Sequence, residues 1–441
     1  MRVFDLDDGR HLRTIRLPAG PGDVGKAFAV AISPDGALIA AGGWTNEYGN
    51  HPIYLFDRPS GAMVHRIEGM PRAVPHLAFS PDGRFLAAAL GGPNGLRVFD
   101  READWAEVAR DPAYGDSSYG VAFAPGAAAR LATTSYDGRI RLYPPLAELA
   151  ADGHIASEAE VAAPAGRYPF GLAFRPDGAV LSVGYEDTTA VSILDGRSLA
   201  ALDDPDTGGL DGGDLSKIAW SADDATLFAG GRRQSDGDRL RAWADGGAGA
   251  RRRLKASANT IMSLVPLLAG DLLVAAGDPW LARLAPFDDD GGTPRWRHGP
   301  PEADLRAQHR TLAVSADGGV VDFGYQSGGE ALARFDVTAL ELRLDPPTDD
   351  RTATPLQRRE VLDVDDWVNS TRPTLDGAPL PLEPLERSRS LAVDPAGDRF
   401  VLGADWSLRA FDATGEPLWR RPAPGVAWAV NVTGDGRLVV A

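Results

Sequence analysis

Apolar and polar positions in this chain fall into short strand-like runs that return at a nearly fixed interval. In a clean copy, Val74 to Ser80 reads as a strand, Pro81-Asp82-Gly83 turns it, Phe85 to Leu90 returns, and Leu96-Arg97-Val98-Phe99-Asp100 ends the unit. Proline presets the turn dihedral, Asp bonds its own backbone, and Gly takes the corner with positive φ. The same turn anchor recurs at Ser33, Ser80, Ala124, Arg175, Ser221, Ser315, Asp394 and Thr433, with early steps of 47, 44, 51 and 46 residues. The 94-residue gap from Ser221 to Ser315 is two periods, and Ile261 to Phe287 fills it with a degenerate copy that turns at Leu268-Ala269-Gly270-Asp271. Most units close on an aromatic-Asp pair, as at Phe56-Asp57, Phe99-Asp100, Phe335-Asp336 and Phe411-Asp412. A unit of four strands, a to d, repeated in this way is a propeller blade. The expectation is an all-β fold, a β-propeller of four-stranded antiparallel blades with about nine repeat units.

The repeat runs end to end, so residues 1–441 read as a single domain although length alone suggests about three. The chain opens on strands c (Arg2 to Asp5) and d (Leu12 to Leu17) and ends on strands a (Val426 to Val432) and b (Leu438 to Ala441). Residues 1–17 and 425–441 are therefore expected to zip into one composite blade that closes the ring and removes open sheet edges. Nine blades exceed the usual range of about four to eight, and a seven- or eight-blade ring with spare strands stands as the rival. One interval breaks the period: Ser315 to Asp394 spans 79 residues. The excess, 346–386, lies between the seventh and eighth full repeats. It reads as a surface excursion pinned by Trp367 and its leucines, with a docking element as the alternative.

Charge and composition narrow the chemistry. The 62 acidic against 45 basic residues give a net charge of −17, which disfavours a nucleic-acid partner. No run approaches the ~20 apolar residues of a membrane span, and Met1 to Asp8 has no signal-peptide core, so the expectation is a cytoplasmic chain with no membrane partner. The absence of cysteine excludes disulfides, thiol catalysis and zinc-thiolate sites. Lysine is confined to Lys26, Lys217 and Lys255 while arginine, alanine and glycine abound, which suggests a GC-rich bacterial genome. Seven scattered histidines form no His-Glu-x-x-His, and neither a Gly-x-Ser-x-Gly elbow nor a Walker loop appears. The acidic stretches Asp203 to Asp214 and Asp288 to Asp290 match no EF-hand spacing and read as solvated loops. No catalytic residue, metal ligand or cofactor is assigned, and the chain is not expected to be an enzyme.

Loop length separates the two faces of the ring. The a-to-b and most c-to-d turns are short, whereas the b-to-c and d-to-a connections at the opposite mouth are long and carry Trp, Tyr and Arg, the types enriched at binding hot spots. Partner-binding candidates on that mouth are Trp44, Tyr48, Tyr114, Tyr185, Arg232, Arg233, Trp280 and Tyr325, with Trp367 from the insertion. For each aromatic the competing role is packing between blades.

The units resemble WD40 repeats, although no Trp-Asp dipeptide closes a blade and Gly-His is missing before strand a. More specifically, Ser118 to Phe123, Leu131 to Tyr143, Arg389 to Val393 and Gly403 to Arg409 resemble the propeller part of bacterial caspase-like proteins, which couple a peptidase domain to WD40 repeats. That resemblance implies a non-catalytic scaffold or sensor that binds a protein or peptide, with a peptidase domain as partner in a longer chain or a neighbouring protein. Ala410 to Trp419 resembles a quinoprotein repeat, but its Asp-to-Thr spacing is one residue short and it is nearly alone. The runner-up is a lactonase-like propeller hydrolase, which requires at least three carboxylate or histidine ligands converging on a metal at the channel mouth.

Overall fold

The computed structural model describes all residues except 19–23, 46–48, 127–129, 147–152, 211, 233–239, 257–258, 278–279, 287–292, 299–312, 316, 326–330, 345–351, 354–361, 424–425, 428 and 434–435. Helical periodicity is nearly absent from the sequence, and its best stretches, Pro145 to Ala151 and Glu302 to Gln308, lie largely or wholly outside the described residues. No described helix is long and apolar enough to cross a membrane.

Eight antiparallel sheets follow one another along the chain. Sheet I comprises Lys26–Ile32, Leu38–Trp44, Ile53–Asp57 and Met63–Ile67; sheet II comprises His76–Phe79, Phe85–Ala89, Leu96–Asp100 and Ala106–Asp111. Sheet III holds Ser118–Phe123, Leu131–Ser135, Arg139–Tyr143 and Ala159–Ala162, and sheet IV holds Pro169–Phe174, Val180–Tyr185 and Val191–Asp195. Sheet V is built from Lys217–Trp220, Leu227–Gly230, Leu240–Trp243 and Arg251–Leu254. The degenerate copy forms sheet VI, from Ile261–Pro266, Leu272–Ala276, Trp280–Ala285 and Thr293–His298. Sheet VII runs Ala313–Ser315, Val320–Tyr325, Ala331–Asp336 and Glu341–Leu344, and sheet VIII runs Ser388–Val393, Arg399–Ala404, Ser407–Asp412 and Pro417–Pro422.

The repeated turn works by the same local chemistry in the serine-anchored copies. In sheet II the Phe85 N–H donates to Ser80 Oγ at 2.9 Å while Arg84 N–H donates to Asp82 Oδ1 at 3.0 Å, and Gly83 takes φ 73°. Sheets V and VII repeat it, with Thr226 N–H on Ser221 Oγ at 2.8 Å and Val320 N–H on Ser315 Oγ at 2.9 Å. The serine and the aspartate thus absorb backbone donors that a two-strand turn leaves unpaired.

From sheet I to sheet VI, each sheet buries apolar residues against the next. Ala40, Ile53 and Leu55 of sheet I pack on Val74, Leu77 and Leu86 of sheet II. Sheet II turns its other face, through Ala87, Ala89 and Val98, to Val121, Leu131 and Tyr143 of sheet III. The pattern continues from III to IV, IV to V and V to VI, and the first strands of sheets I to VI touch in succession. Small residues in the second strands permit this approach: a Cβ on Gly184 would lie 2.2 Å from the Leu215 carbonyl oxygen of the segment entering sheet V.

The expected composite blade is not shown among the described residues. Arg2–Phe4 pairs with His11–Thr14 and Asn431–Val432 pairs with Val439–Val440, each as a separate two-stranded sheet, and no ladder joins them among the described residues. Each hairpin instead buries its apolar residues on the nearest open sheet face. Ile15, Leu17, Met1 and Val3 pack on Ile39, Ala41, Tyr54 and Phe56 of sheet I. The same hairpin meets sheet VI, where Trp296 Nε1 donates to the Leu6 carbonyl at 3.0 Å. The C-terminal hairpin covers Ala392, Val401 and Ala410 of sheet VIII with Val430, Val432 and Val439, and also touches the first strand of sheet VII.

Within the insertion, Thr352–Ala353 adds a fifth strand beside Ala313–Ser315, and Val364–Asp365, Thr374–Leu375 and Ala378–Pro379 form a small three-stranded sheet. Leu362, Val364, Leu375 and Leu380 bury against Leu391, Val393, Phe400 and Leu402 of sheet VIII, with Trp367 packed at the margin. The described part of the excursion therefore serves as the cover of one apolar face.

Buried ion pairs tie distant sheets together. Asp405 is wholly buried in sheet VIII; it accepts from Arg389 Nε at 2.6 Å and from Arg66 Nη2 of sheet I at 3.2 Å. Removing one partner of a buried pair typically costs about 3–5 kcal/mol, whereas an exposed pair is worth about 0–1 kcal/mol. Asp405→Ala is therefore expected to lose about 3–5 kcal/mol in urea unfolding. Arg343→Ala, which breaks the exposed pair with Glu341, is expected to stay within about 1 kcal/mol of wild type. Equal effects of the two substitutions would refute this account of Asp405.

Candidate functional site

At one mouth of the array the second strands end and the first strands begin. The first strands of several sheets start with a register shift, between Ala27 and Ala29, Ser118 and Gly120, Pro169 and Leu172, and Ile261 and Ser263. A bulge leaves an extra residue out of the ladder and re-aims its side chain. Those residues include Phe28, Tyr119, Phe170 and Met262, and Phe28 and Met262 are more than half exposed.

On sheets III to V this geometry assembles a continuous aromatic shelf. Tyr119 stacks on Phe170 with centroids 5.0 Å apart and an 18° interplanar angle. Tyr136, directly after the second strand of sheet III, lies 4.3 Å from Tyr119 and 4.9 Å from Tyr168. Lys217 opens the first strand of sheet V and holds its ammonium 4.1 Å from the Phe170 centroid. Arg167 leans over Tyr168 at the other end. Tyr119, Tyr136 and Phe170 are half-buried and Tyr168 is exposed.

Lys217 is the unusual group here. Among the described residues its ammonium has no hydrogen-bond or ion-pair partner, only the Phe170 ring. Burial pushes its pKa down to about 8, with Glu186 and Asp214 pulling the other way. Burial in turn pushes the Glu186 carboxyl up, against the pull of Arg232. Asp214, fully buried, is held by Arg232. Burial and the Lys217 charge lower His76 to about 4, so its ring is neutral at pH 7, and its Nδ1 accepts the Val121 N–H at 3.0 Å. With Nδ1 occupied as an acceptor, the proton sits on Nε2.

The sequence candidates distribute unevenly over this mouth. Arg232 is exposed and belongs to it, donating to Asp214 and to the Glu186 carbonyl. Trp44 is half-buried at the end of the second strand of sheet I, edge-on to His51 at 5.1 Å. Tyr114 and Tyr185 are buried between sheets. The Tyr114 hydroxyl bonds Thr133 at 2.6 Å and Tyr143 at 2.8 Å; the Tyr185 hydroxyl bonds Ser192 at 2.8 Å. Trp280 and Tyr325 occupy strand termini, Tyr48 and Arg233 lie outside the described residues, and Trp367 packs within the insertion. The residues that do converge, Tyr119, Tyr136, Tyr168, Phe170, Glu186 and Lys217, were not singled out. Their signal was positional: Tyr136 and Glu186 each follow the last residue of a second strand and precede an aspartate that receives backbone N–H groups of the preceding d-to-a connection.

The acidic loop is occupied with local bonds. Asp204 accepts the Ile193 N–H and Asp206 accepts the Gly208 N–H. Asp288 to Asp290 lie outside the described residues. Among the described residues no three His, Asp or Glu side chains are grouped to hold a metal.

No protein-family model matches the chain, and no curated protein matches it. Among solved structures it is similar to a chain of the "Crystal Structure of Mitotic Checkpoint Complex", with a TM-score of 0.52 at 18% identity, over 76% of this chain and 98% of that one. The succession of antiparallel, mostly four-stranded sheets and this likeness fit a propeller fold of the WD40-like kind.

A desolvated lysine gives a testable signature. Its proton is held less tightly in the folded than in the unfolded chain, so between about 8 and 10.5 the unfolded state binds more protons and stability rises with pH. Lys217→Met is expected to raise the urea midpoint at pH 7, with the advantage over wild type shrinking as pH climbs through that window. A difference that does not change with pH would contradict a desolvated Lys217.

Proposed function

We propose that this chain is a non-catalytic propeller that binds a protein or peptide segment across the mouth of sheets III to V. The observation that carries this reading is the aromatic shelf, half-buried yet open, ending in an ammonium with no polar partner among the described residues. Rings of this kind supply contact area at small entropic cost and dominate binding energy where they line a partly dry surface. The fold supports the class of activity, since the propeller it resembles sits in a structure titled as a complex.

The finer reading is a recognition module of a bacterial caspase-like system in the cytoplasm, working with a peptidase domain in the same longer chain or beside it. It rests on the likeness of Ser118 to Phe123, Leu131 to Tyr143 and Gly403 to Arg409 to those propellers. Tyr119 and Tyr136 fall inside these segments, so the likeness and the shelf coincide on sheet III.

Selection from a random displayed-peptide library on the immobilised chain tests the reading. Peptides enriched by wild type are expected to lose about 2 kcal/mol, roughly thirtyfold in Kd, on a Tyr136→Ala, Tyr168→Ala variant with unchanged melting. No enrichment above an unrelated protein, or equal retention by the variant, would remove the assignment.

A further inference from the structure

We infer that Lys217 is the anchor for a single carboxylate on an otherwise apolar peptide, whose remaining side chains lie along Phe170, Tyr119, Tyr136 and Tyr168. This rests on the peptide-binding reading above and specifies its ligand.

Three observations converge on it. First, the ammonium has three donors and, among the described residues, no acceptor, while one face of Phe170 is already taken by it at 4.1 Å. A ligand cation entering at Phe170 would meet like charge; an anion would supply the missing acceptor in a place where water is partly excluded, and there a charge-assisted bond is strong. Second, His76, whose pKa the Lys217 charge helps to lower, has Nδ1 committed to the Val121 N–H and so carries its proton on Nε2. Third, the steps from Lys217 to Phe170, Tyr119, Tyr136 and Tyr168 are each between 4.1 and 5.0 Å. Such a track matches at most about five residues of extended peptide at ~3.3 Å each, longer than one amino acid.

The surroundings also limit the ligand to one carboxylate. Glu186 and Asp214 lie near the lysine, with Asp187 beside Glu186, and Arg232 pairs with Asp214 and also attracts Glu186. A run of acids would meet Glu186, Asp187 and the net charge of −17, so repulsion rejects polyacidic segments while one carboxylate is accepted. The carboxylate is either an internal Asp or Glu or a peptide C-terminus.

Two displayed libraries decide among these, one presenting internal random segments and one presenting free C-termini, each selected on the full chain. The expected winners carry one carboxylate beside aromatic or aliphatic residues, and the library they come from names its source. Amidating that carboxylate, or replacing it by Gln or Asn, is expected to weaken binding at least tenfold to wild type and to have little effect on Lys217→Met, with Lys217→Arg retaining the dependence. Winners are further expected to shield Lys217, but not Lys26 or Lys255, from trace acetylation read by mass spectrometry. Winners without a carboxylate, or with one whose removal costs Lys217→Met as much as wild type, overturn the inference. They leave the peptide-binding reading intact if Tyr136→Ala, Tyr168→Ala still abolishes retention. No winners from either library overturn both.

Discussion

A four-stranded sheet with two apolar faces is not stable alone in water, and the whole chain is organised by the need to cover both. Burial stabilises by about 25 cal/mol per Å² of apolar surface, so a bare sheet face forgoes much of what ordering its strands requires. Sheets II to V meet this by lying between two copies of themselves. Among the described residues sheet I has a repeat packed on only one face and sheet VIII on neither, and irregular segments take the place: the N-terminal hairpin on sheet I, the insertion and the C-terminal hairpin on the two faces of sheet VIII. The insertion is thus explained by the same constraint as the repeats.

The parts of the fold legible in the sequence are those fixed within a few residues. Ser80 with Asp82 and Ser221 with Asp223 bind their own turns, so the pattern is visible without knowing the neighbours. The degenerate sixth copy was also legible, because Leu267 to Asp271 still closes a backbone turn. Where the terminal hairpins dock was not legible, since phase alone cannot tell a strand that completes a ladder from one that covers a face. Nor was the substitute for the missing Trp-Asp network. Third-strand arginines fill it: Arg141 with Asp137 at 2.8 Å, Arg334 with Asp322 at 2.6 Å and Arg409 with Glu386 at 2.7 Å, all nearly buried. Each supplies several donors from one planar group, and its acid comes from a different place in each sheet, which hides the pairing from a search for a repeated dipeptide.

At the proposed site, adjacent positions of one loop differ in what they present. Strand side chains alternate between faces, so a shift of one residue exchanges a packed group for a presented one. Tyr185 ends its strand and points into the seam between sheets, while Glu186 comes next at the mouth; at the equivalent point of sheet III the aromatic falls one place later, as Tyr136, and is presented. The bulges sharpen this. Tyr119 and Phe170 leave the core because their strands carry extra residues opposite the partner, a feature of pairing rather than of composition.

A half-buried ammonium with only a ring for company is a poor choice for stability. Cation–π contact returns about 0.5–2 kcal/mol, yet burial still drives the proton affinity of Lys217 down, so the ring does not make up for lost water. Phe170 in turn stacks with Tyr119, and its carbonyl accepts the Thr134 hydroxyl. The lysine is therefore presented against a rigid support instead of being free to swing into solvent. Rigid presentation of an unsatisfied donor lowers the entropy lost when an acceptor arrives. The same arrangement that weakens the unliganded propeller is what the proposed recognition at its mouth would draw on.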